Sequence, residues 1–121
     1  MKAELKSISS TDIDERVYWP DDVNCFGFSL DAIIGPVGED TGNLFQFFVC
    51  TPTWVSTKMI NRDFGDHGVF GRYLIIVLDY DFERIRQMVS QLCDETKGKD
   101  WSEIAIKLSR YAAWEYAEYQ T

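Results

Sequence analysis

Residues 24–34 read NCFGFSLDAII, and this stretch decides the fold class. Its apolar side chains alternate with small or polar ones, which is typical of a β-strand with one buried face. The predicted buried face consists of Phe26, Phe28, Leu30 and Ala32. Turn-forming residues fill positions 35–43 (GPVGEDTGN), and a second apolar strand follows from Leu44 to Cys50. Two strands joined in this way predict an antiparallel hairpin.

Weaker signals on either side of this hairpin predict further elements. Residues 3–9 alternate apolar and polar side chains, which indicates a first strand. After the hairpin, Thr51 or Thr53 can cap a short helix that extends to Asn61. Residues 72–78 are apolar without clean alternation, so we expect an inner strand that is buried on both faces.

The last third of the chain predicts two helices. Asp79 or Asp81 can cap the first helix, and Gly98 is expected to end it in a left-handed conformation. Asp100 can cap the second helix, which we expect to continue past Trp114. The apolar side chains of the first helix recur at helical spacing and are Phe82, Ile85, Val89 and Leu92.

Together these elements predict an α+β fold. We expect an antiparallel β-sheet of about four or more strands, with the two C-terminal helices packed on one face. The length of 121 residues suits one domain, which we expect to cover residues 1–121. Three cysteines adjoin apolar neighbours and match no metal-binding spacing, so we expect buried, reduced thiols. They are Cys25, Cys50 and Cys93.

The overall charge narrows the class of partner. The chain has 20 acidic and 12 basic residues, a formal net charge of −8. Because affinity for nucleic acid needs clustered Lys and Arg, we expect no nucleic-acid partner. No apolar run approaches the ~20 residues of a membrane span, and the N-terminus lacks the apolar region of a signal peptide. We therefore expect a cytoplasmic protein with no membrane partner.

Catalytic residues are sparse in the sequence. His67 is the single histidine, which excludes a site with two histidine ligands. The candidate acid–base groups are His67 with Asp66, or the pair Asp79 and Asp81. For Asp79 and Asp81, capping of a helix is the competing role. We expect no enzyme activity, no metal and no cofactor.

The acidic residues are unevenly distributed along the chain. Residues 1–40 hold nine acidic and three basic residues, a balance of −6. Complementary potential speeds association, so this region predicts a protein partner with a basic surface. Near the C-terminus, carboxylates occur together with Trp and Tyr, the residue types enriched in binding hot spots, and packing of the last helix is the competing role for these aromatic side chains. The candidate partner-binding residues are Asp12, Asp14, Glu15, Asp21, Asp22, Glu39, Asp40, Glu115, Tyr116 and Glu118.

The assembled motifs resemble the immunity protein 8 family of bacterial polymorphic toxin systems. The resemblance covers nearly the whole chain, and the order and spacing of the motifs carry it. They are YWP at 18–20, CFGF at 25–28, IGPxGE at 34–39, FVCTPxW at 48–54, FGR at 70–72, WxEIAxKL at 101–108 and WEYxxY at 114–119.

This resemblance implies an antitoxin that binds the C-terminal domain of a cognate toxin and blocks it without catalysis. It does not imply which toxin is bound. Two other classes of function stay open at this point. One is a small self-associating regulatory domain that uses a free edge of the sheet. The other is a small enzyme that uses His67 and Asp66.

Overall fold

The computed structural model describes residues 1–63 and 68–117. Within them the fold is α+β, as predicted, with one sheet of five strands and three helices. In chain order the elements are β1 (Ala3–Ser9), β2 (Gly27–Pro36), β3 (Asn43–Cys50), α1 (Pro52–Ile60), β4 (Leu74–Ile76), α2 (Phe82–Glu95), α3 (Trp101–Leu108) and β5 (Ala113–Trp114).

The sheet has the order β1-β2-β3-β4, and β5 also pairs with β3. The predicted hairpin is confirmed: β2 and β3 are antiparallel, and Gly27 lies opposite Cys50 and Ile34 opposite Asn43. β1 pairs antiparallel with β2. β4 is parallel to β3, so the sheet is mixed rather than purely antiparallel.

The core forms on the predicted face of β2. Phe28, Leu30 and Ala32 are almost completely buried. They belong to one core cluster with residues of the helices that follow in the chain, including Ile85 of α2 and Ile104 of α3. Burial of apolar surface from strands and helices in one cluster is the main stabilising contribution to such a fold.

The first helix contacts the sheet through one large side chain. The Trp54 ring of α1 packs on Phe48, with 5.1 Å between ring centroids. Phe48 alternates with the buried Phe47 and Val49, so α1 lies on the other face of β3. A Cβ atom at Gly27 would lie 2.6 Å from the Trp54 ring, which explains why glycine stands at this position.

Side chains cap all three helices at the predicted positions. The Thr51 hydroxyl accepts a hydrogen bond from the Trp54 N–H of α1 and another from the Phe26 N–H just before β2. Asp81 accepts from Arg84 N–H at 3.1 Å, and Asp100 accepts from Glu103 N–H at 2.9 Å. Each cap satisfies a donor that the first turn of a helix leaves free.

The prediction of an inner strand at 72–78 was wrong. β4 has only three residues and lies at an edge of the sheet. Ile75 and Val77 face the core, whereas Ile76 and Leu78 are 58% and 73% exposed. The apolar composition reflects one buried face and one exposed apolar face.

Two predictions about the C-terminal helices were also wrong. α2 ends at Glu95, its C-cap residue Thr96 is extended, and Gly98 does not adopt a positive φ. The Thr96 hydroxyl donates to the Leu92 carbonyl, so this side chain satisfies the helix end that glycine was expected to close. α3 ends at Leu108, and Trp114 lies in β5, where its ring stacks on Phe45.

The cysteines are free thiols, as expected. Cys50 and Cys93 are buried, but Cys25 is only half-buried. Burial raises the pKa of the Cys93 thiol to about 12, so this side chain stays protonated and acts as a small apolar residue. None of the helices in the described chain is both long and apolar enough to cross a bilayer.

Candidate functional site

The two acidic segments lie at opposite ends of the β2–β3 hairpin. The acidic loop, residues 10–24, follows β1 and contacts β2 at Ser29. Glu39 and Asp40 lie in the turn beyond Pro36. Ser29 and Pro36 are seven residues apart in one strand, which separates the two segments by about 23 Å. The acidic loop brings five of the predicted residues together and leaves Glu39 and Asp40 apart from them.

Three carboxylates of the acidic loop hold its shape. Asp12 accepts hydrogen bonds from the N–H and hydroxyl of Ser29 at 2.7 and 2.9 Å, which lowers its pKa. Asp14 forms a two-point ion pair with Arg16, and the hydrogen bond from this guanidinium lowers the pKa of Asp14. Asp22 accepts from Asn24 N–H at 2.9 Å. These bonds fix the loop before any partner arrives.

The other two carboxylates of the loop have a different environment. Within the described part of the chain, Glu15 and Asp21 form no side-chain hydrogen bond or ion pair. Asp21 is exposed and Glu15 is half-buried. Their charges are therefore available to an incoming cationic group, whereas the charge of Asp14 is already compensated by Arg16.

Aromatic side chains lie beneath the acidic loop. The rings of Tyr18 and Trp19 pack edge-to-face on Tyr80, with centroids 5.2 and 5.6 Å away. The Tyr80 N–H donates to the Val23 carbonyl at 2.9 Å, which ties the loop to the connection between β4 and α2. Trp19 nevertheless stays 68% exposed, so the loop presents an ordered indole ring beside its carboxylates.

Tyr80 is the centre of this aromatic cluster. Its side chain is 8% exposed, and its hydroxyl has no hydrogen-bond partner among the described residues. Burial raises the pKa of Tyr80, and the nearby Tyr18 and Glu15 raise it further. The hydroxyl therefore remains protonated at neutral pH and adds no charge to the acidic loop.

The C-terminal candidates lie near the other end of the hairpin. Glu115 accepts a hydrogen bond from Leu44 N–H at 2.8 Å and donates its own N–H to the Leu44 carbonyl. Its carboxylate therefore attaches β5 to β3. Tyr116 packs edge-to-face on Trp114 and is 45% exposed. Glu118 lies outside the described residues.

The comparison with protein families agrees with the motifs in the sequence. The family model of Immunity protein 8, Imm8, matches residues 3–119 of the chain. The chain belongs to the Imm8 family. This membership implies an immunity protein, and the match spans the acidic loop, the hairpin and β5. No curated protein and no solved structure matches the chain significantly.

In this Imm8 protein, the alternative catalytic pair takes part in structural contacts. Asp79 forms an ion pair with Arg84 at 2.8 Å, and Asp81 caps α2 and lies 3.5 Å from the same guanidinium. Asp66 and His67 lie outside the described residues. The described ranges contain no group of three or more His, Cys, Asp or Glu side chains arranged to bind a metal.

The sequence did not single out Trp19 as a candidate residue. It stands before Pro20 in a loop, and no periodic pattern relates it to the core. Two features of the sequence nevertheless mark it: a tryptophan in a loop, and five carboxylates within the same fifteen residues. Tryptophan is enriched among residues that dominate binding energy, which makes its exposure here informative.

Proposed function

We propose that this protein neutralises a cognate toxin by binding the toxin's C-terminal domain in the cytoplasm, without catalysis. The observation that carries the proposal is the Imm8 match over residues 3–119. The acidic loop provides the proposed contact surface, with Glu15, Asp21 and Trp19 as its principal residues. The toxin would present a basic surface to this loop.

Order within the acidic loop supports this proposal. Asp12, Asp14 and Asp22 make hydrogen bonds within the folded chain, and Tyr18 packs on Tyr80. A loop that is ordered before binding loses less conformational entropy in the complex. Exposed carboxylates attract a basic partner over a distance, and the indole of Trp19 supplies apolar contact at short range.

The second group of candidates has a smaller role in the proposal. Glu39 and Asp40 contribute to the negative field at the turn end of the hairpin. We retain Tyr116 and Glu118 as further partner contacts. Glu115 already binds Leu44, so its role is to hold β5 in place. We also propose that α2 and α3 cover the same face of the sheet, which leaves the acidic loop open to the toxin.

A matched pair of charge reversals tests the contact surface. The variant Glu15→Lys/Asp21→Lys changes two carboxylates that form no side-chain hydrogen bond or ion pair in the described chain. The control, Glu39→Lys/Asp40→Lys, makes the same change in net charge at the other end of the hairpin. Binding to the toxin domain encoded beside this gene is measured by calorimetry and by surface plasmon resonance at low and high salt.

The first variant should bind roughly tenfold or more weakly at low salt, mainly through slower association, and the loss should shrink at high salt. The control should lose much less affinity. Equal losses in both variants would exclude the acidic loop as the contact surface. The absence of one-to-one binding by the unaltered protein would exclude the proposed function itself.

A further inference from the structure

One edge of the sheet leaves its backbone unpaired. The Tyr73 carbonyl accepts from Phe48 N–H, and Val77 N–H donates to the Cys50 carbonyl, so these two residues point toward β3. Backbone direction alternates along a strand, and therefore Leu74 and Ile76 direct their N–H and C=O groups away from β3. In the described chain no other strand pairs with this side of β4.

The opposite edge of the sheet is protected against further pairing. β1 contains an irregularity between Leu5 and Ser7, and its edge carries the ion pair of Lys6 with Glu4. Lys2 bridges to Lys97, which covers one end of this strand. Bulges, charges and covering segments are the usual means of preventing edge pairing, and the three residues of β4 include no charge.

Two apolar grooves flank the open edge. The groove of about 520 Å³ on the α1 side is walled by Val55, Met59 and Ile60. The groove of about 250 Å³ on the core side is walled by Met88, Leu92 and Tyr111. Leu74 and Ile76 line both grooves. An extended strand beside β4 would direct alternate side chains to these two faces, so the edge suits a strand better than a helix.

We propose that the occupant is β4 of a second copy of this chain, paired antiparallel about a two-fold axis at Ile75. Leu74 of each copy then lies opposite Ile76 of the other. In this register the N–H and C=O groups of Leu74 and Ile76 in each copy all form hydrogen bonds with the other copy. A register shifted by one pair would need either the Leu78 carbonyl, which already accepts a hydrogen bond from Asn24, or the Arg72 N–H, which already donates to the Phe70 carbonyl.

The charges at the two ends of β4 favour antiparallel pairing with a second copy. Arg72 precedes β4, and Leu78 beyond the other end is joined to the acidic loop through Asn24. The proposed register brings the Arg72 end of β4 in one copy toward the Leu78 end of β4 in the other, beside the acidic loop. Within its own copy the Arg72 guanidinium lies over the Tyr73 ring and donates to the Tyr73 hydroxyl, so no carboxylate contact among the described residues competes there. In each copy Arg72 thus approaches the acidic loop of the other copy. Both copies use the same surface, as a two-fold interface requires.

The experiment compares Ile76→Lys with Ile106→Lys. Ile76 and Ile106 are 58% and 45% exposed, so neither substitution disturbs the core. Sedimentation velocity from micromolar to submillimolar concentration should show reversible dimers for the unaltered protein and for Ile106→Lys. Ile76→Lys should weaken the dimer by about tenfold or more, because it places a cation opposite Leu74 of the other copy.

Two further measurements test the register. Leu78→Lys should weaken the dimer because it adds a cation at the end of β4 that Arg72 of the other copy approaches, whereas Leu78→Glu should preserve it. Hydrogen exchange at high concentration should protect the amides of Leu74 and Ile76, which form no hydrogen bond within the described residues of one copy. It should change the exchange of the Ile75 and Val77 amides little.

Several results would overturn the proposal. They are a monomer at every concentration, a dimer that Ile76→Lys leaves intact, or a dimer in which the Leu74 and Ile76 amides still exchange freely. Protection of these amides by the toxin domain in a monomeric protein would assign the edge to the toxin instead.

Discussion

The acidic loop and the β4 edge are neighbouring surfaces with opposite properties. In the loop, three of five carboxylates are engaged by groups of the same chain, and the backbone is tied to Tyr80. At the edge, backbone groups and apolar side chains are left open. The comparison indicates two kinds of contact: a long-range electrostatic attraction at the loop, and a short-range pairing of backbone and apolar side chains at the edge.

Trp19→Ala is expected to have the largest effect, on toxin binding alone. Removing an exposed, pre-ordered indole at the centre of a contact should cost about 2 kcal/mol of binding free energy, mainly through faster dissociation. Surface plasmon resonance at two salt concentrations measures the loss, with Ile106→Ala as the control. Because Trp19 carries no charge and lies outside β4, self-association should change little; a strongly weakened dimer would place Trp19 in the contact between the two copies.

Gly27→Ala should have an intermediate effect, which is a loss of stability where α1 packs on the sheet beside β4. Its Cβ atom would lie 2.6 Å from the Trp54 ring, so α1 and the wall of the larger groove must shift. Overpacking of this kind should lower the free energy of unfolding by about 1 kcal/mol, measured by chemical denaturation. Toxin binding through the acidic loop should be retained. The control is Ser56→Ala, at an exposed position of α1, which should leave the free energy of unfolding nearly unchanged. A second glycine such as Gly38 would not serve, because its positive φ makes any alanine substitution strained.

Asp12→Asn should have the smallest effect, and this effect should depend on pH. The hydrogen bonds from Ser29 lower the pKa of Asp12 in the folded protein. The ionised form therefore stabilises the fold above the unfolded pKa of about 4, and this contribution is lost as the pH falls through the folded value.

The loss in Asp12→Asn should stay below about 0.5 kcal/mol at pH 7 because solvent screens this exposed carboxylate. Denaturation of both proteins at pH 7 and pH 3 measures it, and the difference should narrow at pH 3. A difference that grows on acidification would show that the Ser29 contact does not favour the ionised form.

The hairpin and the helix starts could be predicted because local signals decide them. Alternation placed Phe28 and Leu30 on one buried face, and the turn at 35–43 left few alternatives to an antiparallel pair. Asp81 and Asp100 cap their helices through bonds to residues three positions ahead, so the interaction is contained in a short segment.

The short strands could not be predicted because partners far away in sequence decide them. Trp114 leaves the helical pattern because its ring stacks on Phe45 and its indole N–H reaches Asn43. β4 is only three residues long, and its exposed face carries the same residue types as its buried one. The apolar composition of β4 therefore predicted an inner strand, although β4 has a neighbouring strand, β3, on one side only.

The candidate site was predicted in its chemistry but not in its arrangement. Charge located the acidic loop, yet it grouped Glu39 and Asp40 with residues that lie about 23 Å away along β2. Their separation follows from the hairpin itself, because its turn and the β1–β2 connection leave opposite ends of one strand. The exposure of Trp19 depends on how the ring meets Tyr80, which no local pattern encodes.

Asn43 has a consequence for folding. Its side-chain oxygen accepts hydrogen bonds from the indoles of both Trp101 and Trp114, which lie 58 and 71 residues further along the chain. Bringing such distant segments together costs loop-closure entropy before any bond compensates for it. Contacts of this kind slow folding, and they form only after the hairpin, α3 and β5 have met. One amide thus makes the docking of α3 and β5 onto the β2–β3 hairpin a late step in folding.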